Sequence, residues 1–240
     1  MMNKLHGFAV AAVLCFLGGC ETPRVDPIQS FLPAPVDVAL VVFQESEIRL
    51  ARLNLSIAVF DVESKIENSI NSSKVQVSSF ERRFLPFRLK QTLDQSGFWG
   101  AVRVMPQTDP NSEINVTGKI LISDGVELKL HVLAVDATGK VWLDQVYHDV
   151  TSDLDYSTDP SYQVEPFQDL YNRVSNDLSG GLVSFTKLDR DQLLNVAMLK
   201  YARELSRETF GRYLSEDLGL ITLIGLPSEA DPLFKRVQRI

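Results

Sequence analysis

Cysteine is nearly missing from this chain of 240 residues: there are two, Cys15 and Cys20, both at its start. The count excludes a disulfide framework or a thiolate metal site in the rest of the chain. Histidine is also scarce, with three in all. His6 lies in the leader, while His131 and His148 fall at different heights on different predicted strands, with no helix-spaced partner; together these argue against a joint metal site. No Gly-x-Ser-x-Gly elbow occurs, and Gly180-Gly181 lacks the following Lys-Ser/Thr of a phosphate loop. The carboxylates show no pairing of the kind that serves glycoside hydrolysis. Asp153, Asp155, Ser157 and Asp159 have the odd-position spacing of a calcium loop. Thr158 stands where the turn needs glycine and Val164 where a bidentate Glu should be, so the segment reads as a solvated loop. Positive charge is not in excess either; a net charge of -7 offers nucleic acid no general attraction.

What is present at the start is a short polar stretch carrying Lys4 and then an uncharged apolar run from Phe8 to Leu17. That run falls short of the roughly 20 residues of a spanning helix, and the layout is that of a secretory signal over residues 1–19. Leu17-Gly18-Gly19-Cys20 resembles the bacterial lipobox. The resemblance implies cleavage before Cys20 and a diacylglycerol thioether on its sulfur; the alternative is a signal cut elsewhere, with Cys20 an ordinary thiol. Two or three fatty chains would hold the protein to a membrane stably. By resemblance to enterobacterial lipoproteins, in which Asp after the cysteine retains the protein at the inner membrane, Glu21 implies sorting to the outer membrane. Residues 20–35, with four prolines in "ETPRVDPIQSFLPAP", read as the lipidated cysteine and an extended tether. No cofactor is implied beyond the lipid.

Roughly 205 residues follow without a compositional break, enough for one large domain or two small ones. A composition 45% hydrophobic and 23% charged belongs to a globular chain. "VDVALVVF" could be a strand or a short helix; the reading favours a strand from Val36 to Phe43. Leu53 to Val62 reads as a buried strand, and Asn68 to Lys74 as a polar loop. Pro86 suits a helix's first turn, Leu85, Leu89 and Leu93 recur along one side, and Ser96-Gly97 supplies a stop. Ala101 to Met105 is a strand. Ile114, Val116, Gly118, Ile120 and Ile122 then alternate, as do Val126, Leu128, Leu130, Val132 and Ala134, and "DATGK" turns the second strand into a third. The predicted fold class is therefore mixed α/β, a mixed sheet over residues 36–150 with an amphipathic helix on one face.

Residues 151–240 read as a mainly helical region packed on that sheet. Phe167, Leu170, Val174 and Leu178 share a side of one helix, with Pro166 in its first turn and Gly180-Gly181 ending or bending it. Leu194, Ala197, Tyr201, Leu205 and later Tyr213 mark the inward stripe of another. Leu220 to Pro227 is a short strand, possible addition to the sheet. A last helix carries Asp231 as cap, Pro232 in its first turn and Leu233, Phe234, Val237 and Ile240 as apolar positions. So short a helix either docks firmly or belongs to a longer chain.

Across Leu53 to Val150, "SIAVFDV", "TLDQSGFWGAVRV", "INVTGKI" and "LAVDATGKVW" resemble the small α/β domain of several bacterial envelope proteins. These include the TolB amino-terminal domain, curli-secretion lipoproteins, flagellar outer-membrane lipoproteins and lipoprotein activators of peptidoglycan synthases. These motifs fix turns and close-packed strands and carry no transferable chemistry. After Val150 the resemblance ends in a helical region instead of a propeller or pore hairpin. Glu165 to Asn172 also resemble a "DPFQDLYN"-like stretch of uncharacterised proteobacterial lipoproteins.

Arg82, Arg83, Arg88 and Lys90 cluster with Phe84, Phe87, Phe98 and Trp99 around the first helix. Trp142 lies on the predicted hairpin. Aromatics and Arg concentrate binding energy at interfaces, so these residues are the candidate interface, against a plainer reading as core aromatics and solvated charges. Arg88 and Lys90 are expected on the solvated side. The expectation is an outer-membrane lipoprotein facing the periplasm, without enzymatic activity, that binds an envelope protein or itself as an accessory or assembly factor. An envelope hydrolase or transferase, and a ring-forming component of an export or surface-appendage machine, are the alternatives.

Overall fold

Ile114, Val116 and Ile120 turn to one side of their strand, and Leu128, Leu130, Val132 and Ala134 to the same side of the next, each at most 1% exposed. Strict alternation of this kind builds a sheet with one buried face. The computed structural model describes residues 37–44, 52–63, 72–151 and 165–239, all within the compact unit Pro33–Ile240. The strands are β1 (Leu55–Ala58), β2 (Asp61–Val62), β3 (Val102–Met105), β4 (Ile114–Ser123), β5 (Glu127–Asp136) and β6 (Val141–Val150). β1 lies parallel to both β3 and β4, β2 continues alongside β4, and β4, β5 and β6 form the antiparallel meander, in the order β3-β1-β4-β5-β6. The mixed α/β class is as the sequence predicts.

Two helices, α1 (Ser72–Ser96) and α2 (Gln168–Val183), pack together and against the buried face. Leu85, Leu89 and Leu93 of α1 and Leu170, Val174 and Leu178 of α2 reach the core as their spacing predicts. The C-terminal part continues through α3 (Lys187–Leu205), the short α4 (Arg207–Phe210), the hairpin β7 (Leu214–Asp217) and β8 (Leu220–Leu223), and α5 (Pro232–Val237). Thr186 and Asp189 form a capping box at the start of α3. Asp231 caps α5, accepting from the Leu233 and Phe234 amides. Phe234 and Val237 are buried, so α5 is docked, whereas Leu233 is half exposed.

Several expectations are corrected. The predicted strand ending at Phe43 is an extended strap over the described residues 37–44. Its polar groups go to α2 side chains: the Asp37 and Val38 amides donate to Asp169, the Val41 amide to Asn176, and Asn172 and Asn176 donate to the Val38 and Ala39 carbonyls. The Leu53–Val62 strand is interrupted at Val59-Phe60. Helix α1 starts 14 residues before Pro86, taking Ser72–Lys74 out of the expected loop. Proline cannot donate to the carbonyl four residues back, that of Arg82. The Phe60 amide fills the gap at 3.0 Å, and Arg82 Nε donates to the Phe60 carbonyl at 2.9 Å. The turn of the helix that Pro86 leaves without its own hydrogen bond is thus the attachment point of the β1–β2 junction.

Gly118, in the "TGKI" segment, lets the Phe60 ring lie on β4, for a Cβ there would come within 2.5 Å of that ring. Ile122 is only half buried because a bulge separates it from Ile120. Val126 is 59% exposed, since it belongs to a turn held by Asp124 and not to the inward row. Helix α2 runs on through Gly180 and Gly181. The buried stripe of α3 is Leu193, Val196, Ala197, Leu199 and Ala202; Leu205 is exposed, and Leu194, Tyr201 and Tyr213 only flank the core. β8 pairs with β7 and not with the main sheet, though the Ile221 amide donates to Thr138 in the β5–β6 turn. Among the described residues, no helix is long and apolar enough to cross a membrane.

Candidate functional site

Helix α1 divides its charges and rings between two purposes. On the side opposite Leu85, Leu89 and Leu93, Phe80, Phe84 and Phe87 fall within one narrow stripe, as i, i+4 and i+7 positions must. Phe80 is 64% and Phe87 47% exposed. Phe84, half buried between them, stacks on Phe80 with ring centroids 5.2 Å apart, and the Arg88 guanidinium lies 5.9 Å from its centroid. Arg83 is exposed beside them. Exposed rings are costly to leave in water, and with a guanidinium beside them they are well suited to a partner.

The structure splits the predicted interface set. Arg82 is spent on Phe60 and on Asp61, 3.4 Å away. Arg88 is not on a solvated side: its Nη2 is 2.6 Å from Glu165, whose side chain is only 10% exposed, and its Nη1 donates to Gln91. Burial pushes the Glu165 carboxyl up, and the Arg88 charge and hydrogen bond offset only part of that. Lys90 pairs with Asp94 one turn on. Trp99 is 3% exposed and belongs to the core. Phe98 packs partly buried, edge-on to Phe43 of the strap at 5.6 Å. Trp142 is partly buried against Phe185 and Trp99. Its indole N–H donates to Asp136, which also accepts from the Thr138 amide and hydroxyl and the Lys140 amide. Of the predicted set, Arg83 and Phe87 stay on the exposed surface, with Phe84 half buried between Phe87 and Phe80.

Phe80 is missed by the sequence reading because that reading begins the helix at Pro86. Extended back about two more turns, the spacing of Phe80, Phe84 and Phe87 is visible in the sequence. Around the stripe the polar groups serve packing. Glu81 accepts from Ser123 at 2.7 Å, and burial raises its carboxyl although that hydrogen bond lowers it. The Tyr171 hydroxyl, buried under α1, lies well above the usual phenol range for the same reason. His131 pairs with Asp144 at 2.6 Å and His148 with Glu127 at 2.7 Å, so the two rings sit in separate pairs. Among the described residues, no group of three His, Cys, Asp or Glu is placed to hold a metal ion. Cys20, Glu21, the tether and the Asp153–Asp159 segment lie outside the described residues.

No protein-family model matches the chain, and no curated protein does. Among solved structures, the Xanthomonas campestris protein XCC0632, of the DUF330 family, aligns over 64% of this chain and 96% of its own at 11% identity and a TM-score of 0.33. The hypothetical protein CT253 from Chlamydia trachomatis aligns over 54% of this chain and 99% of its own at 12% identity, TM-score 0.33. A PelC dodecamer from Paraburkholderia phytofirmans aligns over 54% of this chain and 90% of that chain at 14% identity, TM-score 0.33. Likeness at that level assigns neither a family nor an activity.

Proposed function

We propose that this chain is a lipid-anchored accessory or assembly factor of the bacterial cell envelope, held at the outer membrane through Cys20 and working by protein binding. The anchor reading is supported by Leu17-Gly18-Gly19-Cys20 and the proline-rich stretch behind it. The TolB-like resemblance is supported by a helix packed on a mixed sheet and by the close approach of Phe60 to Gly118 in the matching "TGKI" segment. The binding reading is carried by one observation, the exposed stripe of Phe80 and Phe87 with Arg83 beside it. A partner that buries these rings gains contact area from residues that are already ordered.

The test has two arms. Cys20→Ala should leave an unprocessed or soluble protein, and Glu21→Asp should move it towards the inner membrane in a host with the enterobacterial sorting rule. The same mature, membrane-bound form in the Cys20→Ala variant would end the anchor reading. Photo-crosslinking from position 83 in the native envelope should capture a partner, and Phe80→Ala with Phe87→Ala should abolish capture while shifting stability by no more than about 0.5 kcal/mol each, as surface changes do. Unchanged capture would end the reading of this face.

A further inference from the structure

The meander ends in β6, ten residues long, with one edge on β5 and no strand on its other edge among the described residues. The Thr151 amide donates to the Val126 carbonyl, and the register places Val150 opposite Glu127 and His148 opposite Lys129. In an antiparallel ladder this phase sends the backbone groups of the odd-numbered β6 residues to β5 and those of Asp144, Val146, His148 and Val150 outward. The Arg173 guanidinium, donating to the His148 carbonyl at 2.7 Å, meets one of them. The same four side chains stand on the sheet face opposite the core, where Val146 is 50% and Val150 60% exposed. A long edge with exposed valines is a template for another strand.

We propose that the occupant is a second copy of this chain, paired antiparallel through β6 about a two-fold axis at Val146. The argument is the order of side chains along the edge. In Asp144-Gln145-Val146-Tyr147-His148, antiparallel pairing about Val146 sets Asp144 opposite the second copy's His148, Val146 opposite Val146, and His148 opposite Asp144. Shifting the axis onto Asp144 or His148 would oppose like groups, and shifting it onto Gln145 or Tyr147, which keeps the outward backbone groups in phase, would set Asp144 opposite Val146 or Val150 and lose the carboxylate–imidazole pairing. Asp144 already holds His131, and Glu127 already holds His148. The joined sheet therefore carries the row Glu127, His148, Asp144, His131 across the interface, alternating carboxylate and imidazole, and carries it twice by symmetry. Lys129 stands beside His148, and Lys119 beside His131. Arg173 shares a carbonyl that has a second lone pair to offer.

This contact uses none of the residues of the phenylalanine stripe on α1, so it stands apart from that binding face and does not depend on the lipid. The full chain, purified in a nonionic detergent, is measured by sedimentation equilibrium, with mass analysis of Cys20 reporting the anchor separately. Wild type should be a dimer at micromolar concentration. Val146→Lys, which sets two ammonium groups at the axis, should weaken it by about tenfold or more, while circular dichroism shows the same melting. Asp144→Lys should weaken the dimer, and Asp144→Lys combined with His148→Glu should restore it. The charge pair decides the matter should Val146→Lys fail to fold. A wild-type monomer at all concentrations, a dimer indifferent to Val146→Lys, or a single charge change without effect would overturn the proposal.

Discussion

Arg88 shows how one side chain changes the meaning of its neighbours. Read along the helix it looks solvated, but Glu165 draws it inward from 77 residues away in sequence, at 2.6 Å. Removing the guanidinium strands a carboxylate that is 10% exposed. Arg88→Ala should therefore cost about 1–3 kcal/mol, since one partner of a partly buried pair is lost while the other stays desolvated. The remaining exposure of Arg88 and proton uptake by Glu165 keep the loss below that of a fully buried pair. Lys90→Ala, which breaks only an exposed pair with Asp94, should change stability by less than about 0.5 kcal/mol. Urea midpoints separate the two. Glu165→Gln in the Arg88→Ala background should recover part of the loss, and equal midpoints for Arg88→Ala and Lys90→Ala would refute the assignment.

At the scale of elements, legibility followed the range of the forces involved. Leu89 and Leu93, and the alternating rows of β4 and β5, were readable because period and neighbour are both local. The strap was not. Its β-branched residues look like a strand, yet Asp169, Asn172 and Asn176 take its backbone groups from a helix some 130 residues on. The inward stripe of α3 was misplaced because Leu193 to Leu199 is apolar at nearly every position, which leaves the buried face to tertiary packing. Phe80 of the candidate site was hidden by Pro86, since the compensating Phe60 amide has no signature in the helix's own sequence. Gly180-Gly181 does not end α2, and the reason for glycine at the second position is also distant. A Cβ on Gly181 would lie 3.0 Å from the Trp142 ring, whereas one on Gly180 meets nothing within 4 Å. Trp142 cannot yield easily, being held by Asp136. Gly180→Ala should thus stabilise the chain by about 0.5–1 kcal/mol as an ordinary helix substitution, and Gly181→Ala should not. Thermal melts of both test this; a gain at Gly181 equal to that at Gly180 would show that the tryptophan moves freely.

For the whole molecule, the buried carboxyls set a common sign of response to pH. Burial raises Glu81, Glu113, Asp149 and Glu165 above their ordinary values of 4.5 for Glu and 3.8 for Asp, and in each the opposing hydrogen bonds or cations only reduce the effect. A carboxyl raised by folding binds its proton more tightly in the native state. Its contribution is fully present below the unfolded value and is lost as pH rises through the folded one. The four act together from about pH 4.5 upward, so stability should fall between pH 5 and pH 7.5. Asp189, lowered by its cap to Thr186, has the opposite sign but lies on the surface. Glu113 is the clearest single source: burial raises it even though it accepts from the Asn54 amide at 2.9 Å and from the Asn54 side chain at 3.3 Å, bonds that lower it, and Arg103 offsets its burial only weakly. Melting temperatures should be higher at pH 5 than at pH 7.5, and Glu113→Gln, whatever it does to the absolute value, should narrow the gap. A chain that melts higher at pH 7.5 would mean that these carboxyls are better solvated than their burial implies, and that another set of groups governs the response.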